Sequence, residues 1–170
     1  MPNPEHMVER QRVLANFGEF ALRSSDLDEI LTEACRLIHE ALKTDFSKIL
    51  EIEADGETLL VKAGVGWRSG IVGKERISMS DRSSEAYSIE VAEPVISNDI
   101  SKEERFEFAQ FLKDHGVRAL VNVPIFLPGG KPYGLLQVDA KEPRAFDEED
   151  TEFLRTYAML LGPVIDRLHK

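Results

Sequence analysis

The chain predicts an α+β fold built on an antiparallel sheet. Its strand-like stretches come in hairpins rather than separated by crossover helices, which implies antiparallel pairing. Its clearest helical patterns gather at the two ends of the chain. Between them, residues 64 to 111 are irregular and carry most of the remaining aromatic residues.

Residues 7 to 24 place Leu14, Phe17, Ala21 and Leu22 at helical spacing. Asp26 to Glu29 reads as a capping box. It opens a second helix whose stripe runs through Leu27, Ile30, Leu31, Ala34, Ile38, Ala41 and Leu42. The period then changes to two, and 46 to 52 with 58 to 63 form a hairpin through Ala54-Asp-Gly56. Gly64, Gly66, Gly70 and Gly73 around Trp67 predict a loop or a short helical turn. A short strand at 77 to 80, a helix at 83 to 91 and a short strand at 95 to 98 follow. Ser101 to Glu104 has the form of a second capping box, opening a helix that carries Phe108, Phe111 and Leu112 and stops at Gly116. After a second hairpin, a last helix begins near Asp147 and carries Phe153, Tyr157, Leu160, Leu161, Val164 and Leu168. Pro163 lies inside it and predicts a kink or an early end.

The second hairpin, 116 to 140, can be written out in register. With Gly129-Gly130 as a two-residue turn, Asn122 faces Gln137, Leu120 faces Asp139 and Pro124 faces Leu135, all on one side of the sheet. The other side pairs Ala119 with Ala140, Val121 with Val138, and Val123 with Leu136. That side is wholly apolar and requires the first, second and last helices as cover. The mixed side, a few polar groups among apolar ones, has the character of a small-molecule pocket. The lesser alternative is a plain solvated face; the outcome turns on whether residues 64 to 111 close over it.

Composition narrows the function. The 170 residues fit one domain, 1–170, with 1–9 as a flexible N-terminal segment. The formal charge of -10 disfavours a nucleic-acid or anionic-membrane partner, both of which call for a positive surface. A single cysteine excludes an intramolecular disulfide. No apolar run approaches a membrane span, and the first residues have no signal-peptide core, so a cytoplasmic location is expected. Cys35 and His39 stand four residues apart on one helix, but without a third or fourth ligand they read as a buried thiol beside a solvated imidazole. No metal site is implied, and the residues leave the cofactor unknown. No side-chain set has the geometry and roles of a catalytic site, so the chain reads as a non-enzyme.

Gly-Val-Arg-Ala-Leu-Val-Asn-Val-Pro from Gly116, Tyr-Gly-Leu-Leu-Gln-Val-Asp from Tyr133, and Arg-Ala-Phe-Asp-Glu-Glu-Asp from Arg144, in this order of elements, resemble a GAF domain over roughly residues 10 to 168. The resemblance implies a sheet of five or six strands, helices on one face, a ligand pocket under an irregular helix and loop roof on the other, and a homodimer formed through the first and last helices. Apolar stripes including Leu160, Val164 and Leu168 suit such an interface. The implied function is a sensory or regulatory module that binds an unidentified small ligand and acts on a partner protein or output domain. The alternative is a degenerate domain serving only as a dimerisation or interaction scaffold. The ligand candidates are Asn122, Gln137, Asp139 and Leu120 on the sheet, with Trp67, Tyr87 and Asp99 in the roof.

Sub-type signatures of the family are incomplete. The cyclic-nucleotide pattern of Asn-Lys, Phe and Asp-Glu meets Ala140-Lys141, Phe146 and Asp150-Thr151, so the Asn and the Glu are missing; Lys141 and Asp150 remain a candidate ion pair. Bilin attachment calls for a cysteine near the pocket, and Cys35 is on an N-terminal helix. Free methionine-sulfoxide reductases need more than one cysteine and more pocket carboxylates; only Asp139 matches, with Leu120 and Gln137 at the other places.

Overall fold

A computed structural model describes residues 4–168. The elements run α1 (Pro4–Arg23), α2 (Leu27–Leu42), β1 (Phe46–Ile52), β2 (Thr58–Val65), β3 (Arg76–Ser78), α3 (Ser84–Val91), β4 (Val95–Ser97), α4 (Gln110–Asp114), β5 (Ala119–Phe126), β6 (Pro132–Ala140) and α5 (Glu148–Leu168). The six strands form one sheet in the order β3-β2-β1-β6-β5-β4, antiparallel throughout. The α+β expectation holds, with six strands.

The strands separate two cores, as alternation requires. On one face Ile49, Ala119, Val121, Val123, Ile125, Leu136 and Val138 are buried with the stripes of α2 and α5. The first helix is a second layer: α1 packs mainly on α2 and α5, sending in Val13, Phe17 and Ala21. On the other face Phe46, Leu50, Leu59, Val61, Leu120 and Leu135 pack with Ile71, Ile77, Phe111 and Leu112. Residues 64 to 111 therefore do roof the sheet.

Local chemistry explains most boundaries. Asp26 caps α2 through the Glu29 amide at 3.2 Å, and Ser83 caps α3 through that of Ala86 at 3.1 Å. Asp147 and Asp150 cap α5 reciprocally, each accepting the other's backbone N–H at 2.8 and 3.1 Å.

Several expectations are corrected. The β5–β6 register is as written out from the sequence, but its turn is not Gly129-Gly130 alone. The Gly130 N–H donates to the Leu127 carbonyl at 2.9 Å, so Pro128 and Gly129 are the central pair. Proline presets the first of these positions, and Gly129 takes the positive φ, 93°, of the second. An irregularity between Ile125 and Phe126 absorbs the extra residue and preserves the pairing below. Ser101 opens no helix. Its hydroxyl and its backbone N–H both donate to Asp99, at 2.7 and 3.1 Å. Glu103 is drawn onto Arg105 at 2.7 Å, and α4 begins only at Gln110.

Pro163 does not end α5, which continues to Leu168. Pro163 is exposed and deprives only the Met159 carbonyl of its partner; Met159 is itself 71% exposed, so that loss falls on the wet side of the helix. Of the expected flexible segment 1–9, residues 1–3 lie outside the described residues and the rest is helical. Arg10 then ties α1 to Asp150 of α5 at 2.7 Å. Asp150 is therefore not the partner of Lys141, whose ammonium stands over the Phe46 ring at 5.6 Å.

Two helical glycines test this packing. A Cβ on Gly162 would stand 2.2 Å from the Phe126 carbonyl oxygen, whereas one on Gly18 of α1 would meet nothing within 4 Å. Gly162→Ala is expected to cost about 1–3 kcal/mol through forced separation of α5 from β5. Gly18→Ala should gain about 0.5–1 kcal/mol from the removal of glycine's unfolded-state freedom. Urea denaturation of the two variants reads both; equal effects would show that α5 is not seated as described.

Candidate functional site

The site is built on three adjacent strands. Antiparallel pairing sets Lys48 of β1 opposite Gln137 of β6, and Gln137 opposite Asn122 of β5, so one row crosses the sheet. Asp139 lies two residues along β6, on the same face. The middle of this face is polar while its surroundings are apolar, and Lys48, Asn122, Gln137 and Asp139 are all 0% exposed. The alternative of a solvated face is thereby overturned.

A continuous chain of hydrogen bonds holds these groups. The Lys48 ammonium donates to Gln137 Oε1 and to both oxygens of Asp139 at 3.0 and 3.2 Å. Gln137 Nε2 donates to Asn122 Oδ1 at 2.5 Å and to Glu85 Oε1 at 3.4 Å. Asn122 Nδ2 donates to the Ser84 hydroxyl at 3.0 Å, and that hydroxyl donates to Glu85 Oε2 at 2.9 Å. Ser84 and Glu85 form the first turn of α3, so the network fastens the roof to the sheet.

Aromatic rings complete the enclosure. The Trp67 ring lies 4.4 Å from the Lys48 nitrogen and the Phe111 ring 5.5 Å. The indole is stacked on Phe46 at 4.3 Å and donates to the Ser47 carbonyl at 3.0 Å. Gly64, opposite Lys48 in the pairing with β2, makes room for it: a Cβ there would stand 2.8 Å from the indole Cδ1.

Burial governs the electrostatics. It pushes the Asp139 carboxyl up to about 6, against the pull of Lys48. It pushes the Lys48 ammonium down, against the attraction of Asp139 and, more weakly, Glu85. Each group is held near the other because neither is solvated.

Of the seven residues expected at the site, Asn122, Gln137, Asp139 and Leu120 share this face, and Trp67 reaches it through Lys48. Tyr87 and Asp99 are not brought to it. Tyr87 is 44% exposed and leans on Phe106 at 5.5 Å. Asp99 is bound to Arg118 at 3.0 Å, which, with the Ser101 hydroxyl, holds its carboxyl down to about 2. Tyr87 points outward because α3 turns only Ser84, Glu85 and Ser88 inward, while Asp99 follows the sheet's outer strand, β4, and is taken up there by Arg118 and Ser101. Sequence reasoning missed Lys48, Ser84 and Glu85. Lys48 had a readable signal, a cation alternating with Phe46 and Leu50 on a buried strand face. Cys35 is buried on the opposite face with its thiol pushed up to about 12 by burial. Among the described residues no group of His, Cys, Asp and Glu is arranged to hold a metal ion, and no helix is long and apolar enough to cross a membrane.

A roofed six-stranded antiparallel sheet with helices on its other face defines the class, and the family model for the GAF domain matches residues 26–165. The chain belongs to the GAF domain family, a family of small-molecule sensing and regulatory modules. Solved structures share the fold. The GAF domain of an Acinetobacter phosphoenolpyruvate-protein phosphotransferase is 24% identical, with 99% of this chain and 97% of that one covered and a TM-score of 0.80. The corresponding domain from Coxiella burnetii is 20% identical, covers 95% of each chain and has a TM-score of 0.85. A free methionine-R-sulfoxide reductase from Neisseria meningitidis, in complex with its substrate, is 17% identical over 99% of this chain and 95% of that one, with a TM-score of 0.81. A comparison with curated protein sequences found no match.

The raised Asp139 carboxyl gives a signed pH dependence. It holds its proton more tightly in the folded chain than at its ordinary value of 3.8, so its contribution to stability is complete below 3.8 and is lost as the pH rises through about 6. That loss amounts to about 3 kcal/mol for a fully buried group. Asp139→Asn is expected to abolish it, and Lys48→Met, which removes the countercharge, to move it to higher pH. Urea denaturation between pH 4 and pH 9 measures both; a wild-type profile unchanged by either substitution would refute this account.

Proposed function

We propose that this chain is a cytoplasmic, single-domain regulatory module without catalytic activity. It takes a small ligand in the cleft between the sheet and its roof, and passes the change to α1 and α5 of a homodimer acting on a signalling partner or output domain. The observation that carries this reading is the buried network of Lys48, Asp139, Gln137, Asn122, Ser84 and Glu85. Apolar side chains of similar volume would stabilise the same space as well or better. A polar interior under a roof of short elements is suited instead to recognising a ligand. The Neisseria reductase, bound to its substrate, shows that a protein of this fold accommodates a small molecule. Absence of catalysis is supported by the single cysteine, buried on the helical face away from the cleft. The dimer is supported by the apolar exposure of Met7, Val8 and Leu22 on α1 and Met159 and Leu160 on α5.

The second reading, a scaffold that binds nothing, is favoured by the network's self-sufficiency. Its groups bond to one another, and a ligand has to displace one of them.

Thermal unfolding with nucleotides, amino acids, aromatic compounds and tetrapyrroles separates the two. A ligand at 100 times its Kd stabilises by about 2.7 kcal/mol, equivalent to a Tm rise of about 5–11 °C for a chain of this length. The rise should vanish in Asn122→Leu/Gln137→Leu; a chain unmoved by every class is the scaffold. Light scattering across a concentration series is expected to give a dimer that Leu160→Glu dissociates. A wild-type monomer at the highest concentration would remove the helices from the signalling route.

A further inference from the structure

The space between the sheet and its roof is already filled at its polar centre, and by the chain's own Lys48. The Lys48 ammonium has three acceptor oxygens, Gln137 Oε1 and both oxygens of Asp139, one for each of its N–H bonds. Two aromatic rings, Trp67 and Phe111, cover it at 4.4 and 5.5 Å, a distance at which a ring face attracts a cation. Glu85 adds a second carboxylate to the walls through Gln137. All of these except Trp67 and Phe111 are within one percentage point of complete burial. A cage with three acceptors, two ring faces and a net acidic wall is complementary to an organic ammonium, and the lysine reaches it on a flexible four-carbon stem.

We propose that Lys48 is a tethered competitor in an ammonium-binding cage, and that the ligands admitted to the cleft are small molecules bearing a primary ammonium group. This rests on the reading of the cleft as the sensory site and specifies its ligand class. Only a group that replaces the three donated hydrogen bonds can displace Lys48 without leaving Asp139 and Gln137 unpaired, an omission that is costly in a buried site. Neutral alcohols and quaternary ammonium compounds fail this requirement, the first in charge and the second in N–H donors. Displacement frees Lys48 and exposes the underside of Trp67, so it loosens the contact between roof and sheet. The competitor also sets the affinity: if the cage is vacated in about 1% of molecules, apparent binding is weakened about 100-fold.

The test removes the tether and supplies its end separately. In Lys48→Ala the missing atoms beyond Cβ correspond to n-propylammonium. Trp67 is the only tryptophan of the chain, so its fluorescence reports on the cage directly. n-Propylammonium chloride is expected to change that fluorescence and raise the Tm of Lys48→Ala, binding at least tenfold more tightly than 1-propanol or tetramethylammonium. Asp139→Asn in the same background should abolish the preference, and wild type should bind n-propylammonium about 100-fold more weakly or less. Should Lys48→Ala unfold, the same salt is expected to restore its far-ultraviolet circular dichroism where 1-propanol does not. Lys48→Val, whose side chain suits a strand, is titrated in parallel with ethylammonium against ethanol. Equal responses to amine and alcohol, responses to neither in both variants, or wild-type binding as tight as that of Lys48→Ala would each overturn the proposal. The two readings fail separately. A wild-type chain stabilised only by a class without an ammonium group keeps the sensor and removes the cage. Lys48→Ala that takes n-propylammonium beside a wild type deaf to every compound keeps the cage and removes the sensor.

Discussion

The structure on the roofed side depends on one constraint, the need to satisfy a lysine ammonium from which all water has been removed. An unpaired buried ion costs several kcal/mol even after relaxation, so everything within reach of Lys48 is committed to it. Asp139 and Gln137 accept its hydrogen bonds, and Trp67 and Phe111 present ring faces. Those groups need partners in turn. Gln137 turns its amide nitrogen to Asn122 and Glu85, and Asn122 turns its own to Ser84. The demand that begins at one nitrogen on β1 thus fixes the first turn of α3, which follows two further strands in sequence order and lies in the roof opposite. α3 is a short helix without a continuous apolar stripe of its own; its buried residues are Ser84, Glu85 and Ser88. It is held by polar groups where α2 and α5 are held by apolar ones.

That contrast divides the molecule into two parts of different character. The helical face is a core in which Ile30, Leu31, Ala34, Ile38, Leu154, Leu161 and Ile165 are 0% exposed, and it is held mainly by apolar packing. The roofed face depends on the protonation of Asp139 and Lys48 and on the partners that they and Glu85 keep. In the proposed mode a change of ligand or of proton acts first on the second part, and the first part receives it through the strands that the two share.

Much of this was legible in the sequence, and the parts that were not share a cause. Strand alternation fixed which residues of β5 and β6 face each other, because a one-residue slip would expose Val121, Val123 and Val138. Asn122, Gln137 and Asp139 followed from that register. Lys48 did not, although it alternates with Phe46 and Leu50: a strand lysine normally lies on a solvated face, and only the closure of the roof makes it interior. The roof itself has no period to read. Ser101 to Glu104 has the residues of a helix start, yet Asp99 and Arg118 claim the Ser101 hydroxyl and Arg105 the Glu103 carboxylate first. Tyr87 and Asp99 were placed at the cleft because sequence order gives the position of α3 and the end of β4 but not their rotation. Side chains that meet across long separations, such as Asn122 and Ser84 or Gln137 and Glu85, leave no local trace.

One direct connection between the roofed side and the helices runs through Ser47, the residue beside the lysine. Ser47 points to the helical face when Lys48 points to the cleft, and its hydroxyl donates to the Cys35 carbonyl of α2 at 2.8 Å. Its own carbonyl accepts the Trp67 indole at 3.0 Å. One residue of β1 therefore holds the ring that covers the cage and the helix on which α1 rests. If Lys48 leaves and the indole moves, the Ser47 peptide is the first backbone group to lose a partner, and the bond it makes to α2 lies on the same residue. In the proposed mode a ligand need not move the sheet as a body. It has only to change β1 at residues 47 and 48, where the Ser47 hydroxyl meets α2, the helix on which α1 packs.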